Sequence, residues 1–376
     1  MTGVARAGHI SQQPARVVVI GAGIIGLSAA YHLAALGAEV VVLDKEQGPG
    51  RGCTQGAFAM LIADRPEGPA DLSALYGLAV LDWRRFESEL AGRIDVQWGG
   101  VVHWAEPGPE AEVLRENARS ARSLGAVARE INGREFAGLV PGVRSGELGC
   151  AIFRPHYGTL DPVQAAGAIA TAAAARGVRF EYGCEARALR RDASGRIVAV
   201  LTNCGEFTGE TFVLAAGAGS PELGGTAATR IPINIVSGVL AHSRPHRRVL
   251  SRVLNAPGGS IKQDPDGRIV TGLDYRPGAR DTDTSAAHGE RLLAAAADVV
   301  PGIRGARLDF MTLGYVPIPE DGYPIIGYSA HAPNLYLMVT MSGITMAPLL
   351  GRLAATEILE TASIGLLENC RPQRFG

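Results

Sequence analysis

The chain has 376 residues, 47% of them hydrophobic and 19% charged, which is enough for two domains that each bury a core. Its formal net charge of -1 gives no global attraction to nucleic acid or an anionic membrane. The five cysteines (Cys53, Cys150, Cys184, Cys204, Cys370) include no C-x-x-C pair, which argues against a zinc site or redox dithiol. An odd count without a disulfide framework suits a reducing cytoplasm.

Residues 1–14 are polar and glycine-containing and read as a flexible tail, without the apolar run of a signal peptide. Val17 to Ile20 is then a β-branched run typical of a strand buried on both faces. It leads directly into Gly21-Ala22-Gly23-Ile24-Ile25-Gly26. Gly21 permits the tight turn, Gly23 lets the backbone approach a pyrophosphate, and Gly26 allows the next helix to pack on the strand. A helix from Ile24 to Leu36 aims its free N–H groups, starting with those of Ile24 and Ile25, at the phosphates. Glu39 to Leu43 forms a second strand, and Asp44 follows where a carboxylate can accept ribose hydroxyls. Asp44 would repel a 2′-phosphate, so NADP is excluded more firmly than NAD is separated from FAD.

The next segment separates those two. A simple NAD domain would continue with further strand–helix units, but Gly50 to Met60 is a glycine-rich loop of small residues. Such a loop suits backbone N–H groups held against a flat ring or phosphate. The segment from Ala70 to Leu90 is helical by period, with Tyr76, Trp83 and Phe86 as core residues. Val96 to Trp104 reads as a strand and Glu110 to Leu124 as an amphipathic helix. Gly177 to Tyr182 reads as a strand of the first sheet, followed by a β-meander that turns at Gly195. Thr211 to Ser220 gives a buried strand whose end, with Ala216 and Gly217, is small enough to run beneath a nucleotide. Ile233 to Ala241 and Arg268 to Leu273 read as strands, and Ala286 to Val300 as a helix. Asn334 to Val339 is a strand. It leads through Ser342-Gly343-Ile344-Thr345-Met346-Ala347-Pro348 to a helix from Leu349 to Glu360, with Pro348 in its first turn. No stretch approaches about 18 uninterrupted apolar residues, so no transmembrane helix is expected.

In order and spacing, these motifs resemble the FAD-dependent D-amino acid oxidase superfamily, in its glycine oxidase and sarcosine oxidase-like branch. The resemblance runs from Arg16 to about Glu360. Its carriers are the glycine turn with Asp44-Lys45, "GTLDP" at Gly158 to Pro162, "VLAAGAGS" at Val213 to Ser220, "PIPEDGYPIIG" at Pro317 to Gly327 and "SGITMAPLLGRLAA" at Ser342 to Ala355. It implies an α/β fold (α+β overall). A Rossmann-like FAD-binding domain would be built from residues 15–82, 150–230 and 322–365, with an inserted antiparallel-sheet substrate domain from 83–149 and 231–321 roofing the flavin. It also implies noncovalent FAD. Gly52, Cys53, Thr54, Gln55 and Ala57 would lie beside the isoalloxazine, Ala186 by the adenine, and Gly343, Ile344 and Thr345 at the pyrimidine edge.

The chemistry so implied is dehydrogenation of a C–N bond in a small amine, amino acid or imino acid, with hydride passing to flavin N5 and oxygen or another acceptor reoxidising the flavin. The amine must be neutral, its C–H must sit over N5, and its other end must be anchored. Amino acid oxidases of this family typically place an anchoring arginine just before the "P-x-P-x-D-G" stretch, where this chain has Val316 after Tyr315. A histidine often found before the last Ser-Gly is replaced by Met341. Both changes point to a more apolar pocket or an anchor placed elsewhere. The remaining polar candidates are Tyr315, His156, Tyr157 and Lys262. Only Lys45 and Lys262 of the 36 basic residues are lysines. A lysine near N5 can promote reaction with oxygen, although a solvated surface position is the plainer expectation for Lys262. Oxidation of a hydroxy acid would need a base, for which His156 is the candidate. A flavin-binding subunit of a hetero-oligomeric dehydrogenase is the third reading. The oligomeric state is not legible.

Overall fold

The computed structural model describes residues 15–272 and 280–376. The tail expected over 1–14, and Leu273 at the end of one expected strand, lie outside the described residues.

A six-stranded sheet runs in the order Ile325–Tyr328, Leu335–Val339, Thr211–Leu214, Arg16–Ile20, Glu39–Asp44, Arg179–Tyr182. All neighbours are parallel except the first pair. Val17 and Val19 point to one face, where helices Ile24–Ala35, Ala70–Glu89, Pro162–Ala174 and Gly343–Glu360 cover them. Val18 and Ile20 point to the other, against a small antiparallel sheet of residues 186–207 and the Ser220–Thr226 helix. This double covering is why the strand reads as an unbroken apolar run rather than an alternating one. The 24–35 and 343–360 helices cross with their backbones in contact. A Cβ added at Gly351 would meet the carbonyl carbon of Ser28 at 2.7 Å.

The second sheet has eight strands in the order Leu308–Pro319, Ile233–Ser243, Ile269–Gly272, Gly259–Gln263, Val253–Ala256, Val101–Ala105, Cys150–Arg154, Arg129–Glu130. Neighbours are antiparallel except Val253–Ala256 with Val101–Ala105, so the sheet is mixed. Cys150–Arg154, expected on the dinucleotide side of the boundary at 150, pairs with Val101–Ala105 in this sheet. The boundary expected at 82 falls inside the Ala70–Glu89 helix. One face of the sheet packs on the Ala286–Val299 and Gly133–Leu139 helices.

Two local expectations need correction. The last helix starts at Gly343, so Pro348 lies inside it. A proline there lacks the N–H that would bond the carbonyl of Ile344 four residues back. That carbonyl instead accepts the buried indole N–H of Trp83 at 2.8 Å. Second, Cys184 and Cys204 form a disulfide, with Cα atoms 5.8 Å apart. They belong to no short motif. The hairpin of strands Ala186–Arg191 and Ile197–Thr202 brings them together.

Candidate functional site

The glycine turn forms a cradle that its own sequence dictates. Gly21 has φ 112°, and a Cβ there would strike the Ala215 backbone, with its carbonyl carbon at 2.9 Å. A Cβ on Gly26 would collide with the carbonyl of Gly21. At Gly23 the protein offers no such obstacle: an added Cβ would find only Thr54 Oγ1, at 3.5 Å. The glycine there keeps space free for a ligand, which is the fit a pyrophosphate requires. The N–H of Ile24, first in the helix, donates to Thr54 Oγ1 at 3.1 Å, so Thr54 of the second loop closes over the turn. Asp44 accepts from Ala22 N–H at 2.5 Å and Glu46 N–H at 2.8 Å. Burial raises its carboxyl above the ordinary carboxylate range, with the two amide bonds opposing. Lys45 beside it is exposed.

Residues Gly52 to Ala59 run from this cradle toward the second sheet. A Cβ at Gly56 would meet Gly314 Cα at 2.6 Å, so loop and sheet touch through two glycines. The loop ends at Ala59, held at φ 60°; its carbonyl accepts from Thr159 Oγ1 at 3.0 Å and Leu160 N–H at 3.3 Å. Gln55 and Ala57 are half-buried. Cys53 is also half-buried, and burial pushes its thiol up to about 11, which leaves it protonated and poorly nucleophilic. On the far side, Thr345 Oγ1 donates to the Met60 carbonyl and accepts from Ile62 N–H, both at 3.3 Å, and ties the loop to the start of the 343–360 helix. Gly343 lies against Ile25, 3.4 Å from where its Cβ would be, so the N-termini of the two crossing helices meet. Ile344 is 9% exposed. Ala186, Ala216 and Gly217 are half-buried, and a Cβ on Gly217 would meet nothing within 4 Å.

Strand register decides which side chains roof the loop. Directly paired residues share a face. Lys262 pairs with Val270, Val270 with His242, and His242 with Phe310. Every second residue along the last strand then adds Thr312, Gly314 and Val316 to that face. Gly314 touches Gly56, so this is the face toward the loop. Tyr315 has the opposite parity and is 46% exposed, so it does not face the chamber as the sequence suggested. His156 is exposed, and the turn before Gly158 carries it outward. Tyr157 is buried in the chamber wall with Val101, Val253, Phe58, Met60 and Ile62, but its hydroxyl donates to the Asp64 carbonyl at 3.3 Å.

Lys262 is not a surface lysine. It is 1% exposed, its ammonium lies 2.7 Å from Asp264 Oδ1, and it donates to the Leu160 carbonyl at 2.7 Å. Phe58 of the loop stands 5.6 Å from the ammonium. Burial raises the Asp264 carboxyl, and Lys262 opposes that rise. His242, which sequence reasoning missed, bonds Thr312 Oγ1 at 2.9 Å and stacks on Phe310 at 4.5 Å. Burial lowers it to about 4, helped by Lys262 and Arg268, so it is neutral at ordinary pH. Arg65 was missed too. It reaches Met341 Sδ at 3.8 Å and Tyr76 OH at 3.2 Å. Nothing in "ADRPEGPA" marked it as a site residue. Elsewhere, a cleft of about 710 Å³ with Arg244, Arg304 and Arg307 on its rim lies against the 286–299 helix, apart from the chamber.

Residues 16–357 match the family model DAO, FAD dependent oxidoreductase. The chain is similar to a glycine oxidase of Geobacillus kaustophilus, 28% identical over 92% of this chain and 94% of that one. It is also similar to a D-amino acid dehydrogenase of Sinorhizobium medicae, 26% identical over 83% of this chain and 88% of the relative. The crystal structure of the Geobacillus kaustophilus glycine oxidase superposes with a TM-score of 0.85 at 26% identity, covering 96% of this chain and 99% of that one.

Proposed function

We propose, from the premise that this chain belongs to the DAO family of FAD-dependent oxidoreductases, that it dehydrogenates the C–N bond of a small amine, amino acid or imino acid. FAD, when bound, would supply the two-electron acceptor for the substrate's hydride. Gly21, Gly23 and Gly26 would make room for its pyrophosphate, Asp44 would hold the adenosine ribose, and the amides of Gly343, Ile344 and Thr345 would stabilise the pyrimidine edge. With the Cys53 thiol protonated, we take the cofactor to be held noncovalently.

The observation that carries the reading is the roof: Val316, Gly314, Thr312, His242 and Lys262 on one sheet face, closed onto the loop through Gly314 and Gly56. Val316 of this face, with Phe58, Met60 and Ile62 of the loop below it, keeps water from the reacting carbon. Asp264 neutralises the Lys262 ammonium, so it is burial away from water that disfavours a charged amine, and a substrate amine loses its proton more readily in this chamber than in water. That meets the requirement for a neutral amine without a dedicated base. The product imine then hydrolyses, and oxygen or another acceptor takes the electrons. We keep the cytoplasmic placement expected from the cysteine count, against which the Cys184–Cys204 disulfide stands. Among the described residues no helix is long and apolar enough to cross a membrane.

Anaerobic titration of the holoprotein with amines, amino acids, imino acids and hydroxy acids tests the reading. Bleaching of the yellow flavin band by the nitrogen compounds alone is the expected result. Bleaching only by hydroxy acids would move the assignment to alcohol oxidation.

A further inference from the structure

We propose that Arg65 grips the carboxylate of the substrate, which makes that substrate an amino or imino acid rather than a simple amine. The inference rests on the C–N oxidation reading above. Neither Val316 nor Met341 offers a cation, yet the space beside Met341 does contain one: Arg65 Nη1 lies 3.8 Å from the Met341 sulfur and 3.2 Å from Tyr76 OH.

The hydrogen bonds around Arg65 have a direction. A guanidinium only donates, so Tyr76 OH accepts from it and remains free to exchange a hydrogen bond with a neighbouring hydroxyl. Ser342 Oγ is 2.5 Å from the Tyr76 hydroxyl, and either of the two can donate to the other. Ser342 precedes the 343–360 helix but its side chain makes no cap there, so its hydroxyl can turn toward a ligand. Arg65 itself is under-used. The thioether it points at is a weak acceptor, and its one acidic partner among the described residues, Glu67, lies 3.4 Å from Nε with a side chain 57% exposed. A planar fork with such partners is matched to a carboxylate, which it binds through two parallel N–H bonds.

Position completes the argument. Ile62 and Ala63, just before Arg65, pack against the roof residues Val101, Tyr157 and Val253, and Ile62 N–H bonds Thr345. Arg65 therefore stands where the roof meets the N-terminus of the 343–360 helix. A carboxylate there gains the guanidinium, the Ser342 hydroxyl and the positive end of the helix dipole together.

The test uses the holoenzyme with acetate as a carboxylate probe, read as a perturbation of the oxidised flavin spectrum, so that binding is measured without turnover. Arg65→Met should weaken acetate by about tenfold or more, and Arg65→Lys, which keeps the charge but loses the fork, by less. The preference for an amino acid over the amine lacking its carboxylate, as a ratio of kcat/KM, should fall at least as much in Arg65→Met. Equal acetate affinity in wild type and both variants, or an unchanged preference, would overturn the assignment. Should no nitrogen compound bleach the wild-type flavin, the C–N oxidation reading fails, while the acetate titrations still decide whether Arg65 holds a carboxylate.

Discussion

Replacing Trp83 by Phe isolates one atom, the carbonyl oxygen of Ile344. In the native chain it accepts the indole N–H at 2.8 Å because Pro348 cannot supply one. Removing the indole leaves a buried carbonyl without a donor, at about 1–3 kcal/mol. The smaller ring also leaves a void of roughly 40 Å³, worth about 1 kcal/mol. The expected loss is thus about 2–4 kcal/mol. Pro348→Ala restores an amide aimed at the same carbonyl, so in the Trp83→Phe background it should recover the first part of that loss but not the second. Urea unfolding of wild type, both single variants and the double variant, at one fixed FAD concentration, gives the coupling energy. We expect at least about 1 kcal/mol of rescue beyond the effect of Pro348→Ala alone. Additivity to within about 0.5 kcal/mol would refute the idea that the indole stands in for the missing amide.

Acid sensitivity should trace in part to His32, buried between Tyr31 and Phe86 with its Nε2 unpartnered. Burial, aided by Arg85, lowers it from 6.5 to about 3. As pH falls through 6.5 the unfolded chain takes a proton that the folded chain refuses. Stability therefore drops by about 1.4 kcal/mol per pH unit on this account until about pH 3 is approached. His32→Phe should flatten the slope of unfolding free energy between pH 6 and 4 by about that amount, and an unchanged slope would contradict it. Lys262→Met should destabilise by about 3–5 kcal/mol, because Asp264, 4% exposed, loses its counter-charge. Adding Asp264→Leu should return part of that loss in thermal unfolding, and a double variant no more stable than Lys262→Met would show that the two do not act as a pair.

Much of the cofactor side was legible because its constraints are local. A strand, three glycines, a helix and an acid lie within thirty residues, and each is selected by backbone geometry that a sequence displays. The chamber was less legible because its geometry depends on register. Alternation puts Tyr315 and Val316 on opposite faces, but only the contact of Gly314 with Gly56 says which face is inward. Lys262 looked like a surface residue because its partners, Asp264 and the Leu160 carbonyl, acquire meaning only once the strand is buried. Pro348 suggested a helix start because the donor that lets a helix run through it, Trp83, sits 261 residues before the Ile344 carbonyl it serves. Arg65 lies in a polar stretch with no motif, and its meaning comes from Tyr76 and Met341, which the fold delivers from the 70–89 helix and from the turn before the 343–360 helix.

The contact at Gly351 has a consequence for how such a protein can change over time. Where the two helices cross there is no room for even a methyl group, so their tips are fixed relative to each other. In the cofactor arrangement proposed above, one tip would address the anionic tail of the cofactor and the other the part of it that gains charge when electrons arrive. Grip on the nucleotide and ease of reduction are thus mechanically yoked, and a lineage that adjusts one by shifting a helix adjusts both.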